Sequence, residues 1–140
     1  MKRLLGFAAM IAALTVVGVG MPLNAADEKT PSISDIMKKC NGGPKGLCAL
    51  IGKGLQAKDP DWAEIQKEAK DLVECASFLP KTKAPKGDQV GYEKLSKSYV
   101  DITKDIQAAA DKKEQKDAAA AQKKLTGTCK ECHTAYRPAK

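Results

Sequence analysis

The sequence predicts an all-α fold, an antiparallel bundle of four helices. In four separate segments of the 140-residue chain, apolar residues recur three and four positions apart, which is the period of an amphipathic helix. Proline, glycine and polar residues separate these segments, and no segment alternates apolar and polar residues as a strand would. Four amphipathic helices with short connections bury their apolar faces well in an antiparallel bundle.

The first 26 residues are predicted to be a secretory signal peptide. The charged pair Lys2 and Arg3 precedes an apolar stretch, residues 4–20, and small residues end at Ala26. We expect cleavage after Ala26, with Ala25 as the alternative. An uncleaved membrane anchor is less favoured, because the apolar run is short for a span and polar residues follow it at once.

Residues 27–140 are predicted to form one periplasmic domain, 114 residues long and free of the membrane after cleavage. The domain has 22 Lys and Arg against 17 Asp and Glu, a net charge of +5. These basic residues are spread along helical faces, so we expect a solvated surface that favours an acidic partner protein. Nucleic-acid binding is not expected, because aromatic residues are only 4% of the chain and no basic cluster accompanies them.

The first helix is predicted to begin after Ser32, whose hydroxyl can cap it, with an acid at Asp35. Its apolar stripe has one interruption, at Gly42-Gly43-Pro44. Proline removes a helical hydrogen bond and glycine lowers helix propensity, so we expect a kink or a short break there and not a new domain. The stripe consists of Ile33, Ile36, Met37, Cys40, Leu47, Leu50, Ile51 and Leu55.

The second helix is predicted to open at Asp59-Pro60, with the aspartate as cap and the proline in the first turn. Pro80 is expected to stop it, and a loop over residues 80–88 leads to the third helix, from about Gln89 to Ala110. Both helices have apolar residues at helical spacing: Trp62, Ile65, Ala69, Leu72, Val73 and Ala76 in the second, and Tyr92, Leu95, Tyr99, Ile102 and Ile106 in the third.

The fourth helix is predicted to run from about Gln115 to Tyr136, and Pro138 ends it. Its run Ala118–Ala121 has high helix propensity. Because these side chains are small, they would also let a neighbouring helix or a flat ligand come close.

The fourth helix contains Cys129-Lys130-Glu131-Cys132-His133, the C-x-x-C-H pattern of a c-type haem attachment site. Two thiols form thioethers with the haem vinyl groups, and the histidine binds the iron as proximal ligand. Positions i, i+3 and i+4 share a helix face, so Cys129, Cys132 and His133 can meet one porphyrin. A redox dithiol would be expected in a βαβ setting. A zinc site would need further ligands at zinc spacing; the chain has three other cysteines, so zinc is kept as a minor alternative. We therefore predict one haem c per chain.

The predicted export agrees with this motif, because bacteria attach haem covalently outside the cytoplasm. The pattern favours one-electron transfer to and from an acidic redox partner. An enzyme is not expected, since no acid–base pair, nucleophile constellation or phosphate loop accompanies the motif. Trp62, Tyr92 and Tyr99 have core spacing and are expected to pack in the interior or against the haem edge.

Residues 125–137, from Leu125 through the C-x-x-C-H motif to Arg137, closely resemble the C-terminal helix of the cytochromes c′, which are four-helix class II c-type cytochromes. Looser similarity extends to Ala108–Asp111, Lys86-Gly87 and Asp61-Trp62, so the resemblance spans nearly all of the mature chain. It implies a bundle with haem near the C-terminus, and often a homodimer formed through the first two helices. It also implies that Arg137, one turn past the histidine, lies beside the haem; complementing the helix dipole is the alternative role.

The same resemblance bears on Met37, the only methionine that remains after signal removal. In this family the first helix supplies the residue over the distal haem face. A Met followed by Lys resembles the low-spin cytochromes c-556, whose ligands are His and Met, although the Arg that usually precedes the ligand is missing here. We predict Met37 as the distal iron ligand, which would raise the reduction potential. The alternatives are that Met37 fills the core and that a five-coordinate haem binds nitric oxide or carbon monoxide.

Three cysteines lie outside the motif: Cys40, Cys48 and Cys75. In a continuous helix, Cys40 and Cys48 would be about 12 Å apart along the axis, too far for a disulfide. If the first two helices form a hairpin that turns near Lys58, Cys40 faces Cys75, and we predict a disulfide between them. A break that folds the chain back would favour Cys40–Cys48 instead, and all three could also be buried thiols.

Overall fold

The structure, a computed structural model, describes residues 30–138, so the predicted signal peptide of residues 1–26 lies outside the described residues. This part of the chain is all-α and contains no strand. No helix within it is long and apolar enough to cross a membrane. Its α-helices are α1 (Ile33–Asn41), α2 (Leu47–Gln56), α3 (Trp62–Ala76), α4 (Gln89–Asp111) and α5 (Gln115–Tyr136), with short 3-10 helices at Gly43–Lys45 and Leu79–Lys81.

The first predicted helix is interrupted where the sequence indicated, and its two parts are α1 and α2. Gly43 has a φ of 65°, a value that glycine adopts readily, and Pro44 has no amide hydrogen to continue a helix. The predicted start is also confirmed. The Ser32 hydroxyl accepts a hydrogen bond from the Asp35 amide at 3.1 Å and donates one to the Asp35 carboxylate at 2.6 Å.

The prediction that Asp59 caps the second helix is wrong, because Asp61 occupies the cap. The Asp61 carboxylate accepts hydrogen bonds from the Ala63 and Glu64 amides at 3.1 and 3.2 Å, which pairs two of the free donors of the first turn. Pro60 therefore precedes the cap. The helix also ends earlier than predicted, at Ala76, and Pro80 lies inside the following 3-10 helix.

The predicted third and fourth helices correspond to α4 and α5. The end of α4 lies one residue beyond the predicted one, and the bounds of α5 agree with the prediction. The start of α4 is capped by Asp88, which accepts a hydrogen bond from the Gly91 amide at 2.6 Å. Between α4 and α5 the chain turns through Lys113, whose φ is 59°.

The helices pack around one aliphatic core. The α1–α2 segment contacts α3, α3 contacts α4, α4 contacts α5, and α5 returns to contact α2. Ala109 and Ala110 of α4 and Ala118 of α5 are buried. Ala119 and Ala120 are exposed, so of the predicted run Ala118–Ala121 only Ala118 lies fully in the core. The largest fully buried side chains are Ile36, Cys40, Ile51, Ile65, Leu72, Thr103, Ile106 and Leu125, and every α-helix contributes at least one.

Candidate functional site

A cavity of about 760 Å³ is lined by residues of α1, of α4 and of the last turns of α5. Its volume lies within the range of about 300–1,000 Å³ that is typical of cofactor and ligand sites. The five residues predicted to hold haem all line it: Met37, Cys129, Cys132, His133 and Arg137. Two regions far apart in the sequence therefore meet at one concave surface.

The C-x-x-C-H residues form the α5 wall of the cavity. Cys129 and Cys132 are half-buried and one helical turn apart, and His133 is exposed towards the cavity. The Cys129 thiol donates to the Leu125 carbonyl at 3.8 Å. Burial raises the pKa of the Cys132 thiol, and the nearby Cys129 and Glu131 raise it further. Both sulfur atoms are thus near the cavity and partly open to an incoming group.

The end of α5 is held in place by Tyr136, which is buried against the start of α4. Its hydroxyl donates to the Asp88 carboxylate at 3.2 Å, and its ring meets that of Tyr92 edge to face, with centroids 5.4 Å apart. Gly91 leaves space for the tyrosine, since a Cβ there would collide with the Tyr136 hydroxyl. The Gly91 amide bonded to Asp88 lowers the pKa of that carboxyl. This contact fixes the α5 wall relative to α4.

The α1 wall carries Met37, which is half-buried. Its sulfur accepts a hydrogen bond from the Asn41 side-chain amide at 3.7 Å, and the same amide donates to the Tyr99 hydroxyl at 3.0 Å. That hydroxyl lies 3.8 Å from the Cys48 sulfur. Burial raises the pKa of Tyr99, as do Cys48 and Cys40 nearby, so the phenol stays neutral. Asn41 therefore connects Met37 to α4.

Two residues of this site, Asn41 and Tyr136, were missed by the sequence reasoning. Asn41 is four positions after Met37 and Tyr136 is four after Cys132, so helical spacing puts each pair on one face. A search for polar or aromatic residues at i+4 from each predicted ligand would have found both.

The aromatic residues differ in their relation to the cavity. Tyr92 and Tyr99 are buried and line it, while Trp62 is partly buried against the core and does not line it. Core packing or contact with the haem edge was expected for all three. Only the two tyrosines lie where a cofactor could touch them.

Arg137 lies at the end of α5, where the helix gives way to extended backbone. Its backbone amide donates to the His133 carbonyl at 3.1 Å. Arg137 is exposed and lines the cavity. A cation here is close to the carboxyl end of the helix, where positive charge is favourable, and also at the cavity rim. Both roles predicted for Arg137 are compatible with this position.

The predicted Cys40–Cys75 disulfide is not formed in the structure, in which all five cysteines have free thiols. The two residues are nevertheless neighbours, because the Cys75 thiol donates to the carbonyl of Ile36, one helical turn before Cys40, at 3.7 Å. Cys48 is buried too, with its sulfur beside the Tyr99 hydroxyl.

The residues around the cavity fit a haem group. Ile33, Leu79 and Leu95 give the cavity a partly apolar lining, and the same cavity is lined by His133 of α5 and Met37 of α1. These are ligand types that haem iron accepts. Within residues 30–138, no group of three or more His, Cys, Asp or Glu side chains could hold a metal ion. Comparison of the chain with protein-family models, curated proteins and solved structures found no match.

Proposed function

We propose that this protein is a periplasmic monohaem c-type cytochrome that carries one electron at a time without converting a substrate. The observation that carries the proposal is that Cys129, Cys132 and His133 of α5 line the same cavity as Met37 of α1. The C-x-x-C-H pattern is a haem attachment signature, and the cavity has the size of a cofactor site.

The helix contacts support an antiparallel four-helix bundle as the scaffold. The α1–α2 segment, α3, α4 and α5 each contact the next, and α5 contacts α2 in return. A closed ring of four neighbours is the packing expected of such a bundle, with the broken pair α1 and α2 acting as one helix. Cofactor sites of bundles lie between facing helices, as this cavity does.

In this proposal the five predicted haem residues differ in how they would hold the group. Bound haem supplies an iron that gains and loses one electron. Cys129 and Cys132 hold the group through thioether bonds, His133 provides the proximal imidazole and Met37 the distal thioether. Arg137 places a positive charge at the cavity rim, where it would offset the negative charge of the carboxylate substituents of the haem. The Tyr136 contact with Asp88 holds α5 in place.

The same proposal predicts the kind of redox partner. The mature chain has a net charge of +5, from 22 basic and 17 acidic residues. A positive surface raises the rate of association with negatively charged proteins, and salt weakens this effect. We therefore propose an acidic redox protein as partner, with electron transfer that slows as the ionic strength rises.

Covalent haem attachment is the first test. The full chain would be expressed in a bacterium that has the c-type maturation machinery, and haem would be stained on a denaturing gel. We expect haem to stay on the wild type and to be lost from the double variant Cys129→Ser/Cys132→Ser. Cys48→Ser is the matched control, because that buried cysteine lies outside the motif. A wild-type chain that binds no haem covalently would refute the proposal.

The spectrum of the reduced protein then separates electron carriage from gas binding. With Met37 as ligand, we expect a low-spin wild type that does not bind carbon monoxide readily, and a high-spin Met37→Ala variant that does. A wild type that is already high-spin, and unchanged by the substitution, would instead favour a five-coordinate gas-binding haem.

A further inference from the structure

Helix α1 is the shortest α-helix of residues 30–138. It has nine residues, of which only Ile36 and Cys40 are buried, and the Gly42-Gly43-Pro44 break separates it from α2. Isolated helices shorter than about 12–15 residues are marginal in water. Yet α1 carries Met37 to the cavity. Its position must depend on its contacts with the rest of the core.

One of these contacts joins α1 to α3 through two cysteines. Cys40 and Cys75 are 0% and 5% exposed, and Cys75 is close enough to Cys40 to help raise the pKa of the Cys40 thiol. The Cys75 thiol also donates to the Ile36 carbonyl of α1 at 3.7 Å. Two sulfur atoms from facing helices therefore meet inside the core, one turn from Met37.

We propose that Cys40 and Cys75 are oxidised to a disulfide in the exported protein, and that this bond anchors α1, and with it Met37, to α3. The inference rests on the proposed function only for the export of the chain, since disulfides persist in oxidising compartments.

The oxidant is a protein disulfide of the exported compartment. In thiol–disulfide exchange, the thiolate of one cysteine attacks that disulfide to form a mixed disulfide, and the second cysteine displaces the oxidant. One sulfur–sulfur bond forms in this protein and one breaks in the oxidant. The oxidant receives two electrons and two protons and leaves as a dithiol.

The surroundings explain why this pair, and not another, is oxidised. Burial raises the pKa of Cys40, and the thiolate is the reactive form, so oxidation must precede the packing of α1 on α3. The sulfur of Cys48 lies 3.8 Å from the Tyr99 hydroxyl, so its hydrogen-bond partner in the folded chain is a phenol and not a second thiol. Cys129 and Cys132 remain available for haem.

Thiol counting on the haem-loaded wild type tests the bond directly. The protein would be unfolded without reductant, alkylated, digested with trypsin and analysed by mass spectrometry. Lys39, Lys45 and Lys70 separate the three cysteines into peptides 40–45, 46–53 and 71–81. We expect peptides 40–45 and 71–81 to be linked and only Cys48 to be alkylated. Alkylation of all three, or a link that includes Cys48, would overturn the proposal.

Because the sample is selected by its covalent haem, this result is distinct from failure of the proposed function. A haem-loaded chain with free Cys40 and Cys75 would refute the disulfide alone. A chain without haem would refute the function, whatever its thiols.

The anchoring role is tested by a matched pair of variants, Cys75→Ala and Cys48→Ala, which remove the same atoms from buried sites. We expect Cys75→Ala to lower the melting temperature by on the order of 10 °C, and Cys48→Ala to lower it clearly less. In hydrogen exchange, the amides of residues 33–41 should exchange faster by on the order of tenfold in Cys75→Ala. Equal effects of the two variants would refute anchoring by the disulfide.

Discussion

The two walls of the cavity are built in different ways. The α5 wall presents Cys129, Cys132 and His133 from one continuous helix of 22 residues, whose end is held by the buried Tyr136. The α1 wall presents Met37 from a helix of nine residues. One wall is defined by spacing within a single helix, and the other by how a short helix packs on its neighbours.

This difference separates two kinds of information in the chain. The face shared by positions i, i+3 and i+4 follows from helical geometry alone, so the motif predicts its own arrangement. The approach of Met37 to that face depends on contacts between α1, α3 and α4. The α5 wall should therefore tolerate changes that displace the α1 wall, and the following predictions test this.

The largest effects are expected from truncating a buried aliphatic side chain in each wall. Ile36 of α1 and Leu125 of α5 are both 1% exposed, and large-to-alanine changes in cores cost about 2–5 kcal/mol. We expect Leu125→Ala to lower the free energy of unfolding more than Ile36→Ala. In Ile36→Ala, α1 can detach while the rest of the bundle stays folded. The stability lost through this substitution therefore cannot exceed the free energy with which α1 packs on the rest of the bundle.

Urea denaturation of the haem-loaded variants measures the global loss, and hydrogen exchange locates it. Ile36→Ala should accelerate exchange in residues 33–41 and leave α5 protected. Equal global losses, with exchange spread over the whole chain in both variants, would show that the two walls are equally anchored.

A smaller effect is expected where α4 meets the end of α5. A Cβ at Gly91 would collide with the Tyr136 hydroxyl and approach the Asp88 carboxylate at 3.0 Å, and overpacking typically costs about 1–3 kcal/mol. Gly127→Ala is the matched control, because a Cβ there meets nothing within 4 Å. It should stabilise the exposed helix by about 0.5–1 kcal/mol.

Thermal melts of Gly91→Ala and Gly127→Ala should therefore shift in opposite directions. A Gly91→Ala protein as stable as the wild type would mean that Tyr136 is free to move aside, and that the end of α5 is no better fixed than α1.

The parts predictable from the sequence follow the same division. Uninterrupted apolar spacing predicted the bounds of α4 and α5 to within one residue. The conformational preferences of glycine and proline predicted the break after α1. The cap of α3 was mispredicted because aspartates stand on both sides of Pro60, and only the folded chain shows which carboxylate reaches the free amides. The features that depend on interactions between residues close in sequence were therefore the ones that sequence patterns predicted.

The meeting of the two walls was beyond such patterns. Spacing and resemblance singled out Met37 and the C-x-x-C-H residues, but the hydrogen bond from Asn41 to Tyr99 depends on how α1 packs against α4. Residues that act through tertiary contacts have no period of their own. The contact of Tyr136 with Asp88 was missed for the same reason.

The smallest effect is expected from the charge of Asp88 at the start of α4. Its pKa is lowered in the folded chain, first by the hydrogen bond from the Gly91 amide and then by that from the Tyr136 hydroxyl. A lowered pKa stabilises the fold above the ordinary value of 3.8, and this contribution is lost as the pH falls through the folded value. Stability from Asp88 should therefore fade in acid.

Asp88→Asn isolates this charge, because asparagine also caps helices well and can accept the bond from Gly91. We expect the variant to melt below the wild type at neutral pH, and the gap to close as the pH falls from about 5 to about 2. Since both proteins share every other titrating group, acid effects elsewhere largely cancel in the difference. A gap that stays constant over this range would mean that the Asp88 charge does not help to hold the α5 wall.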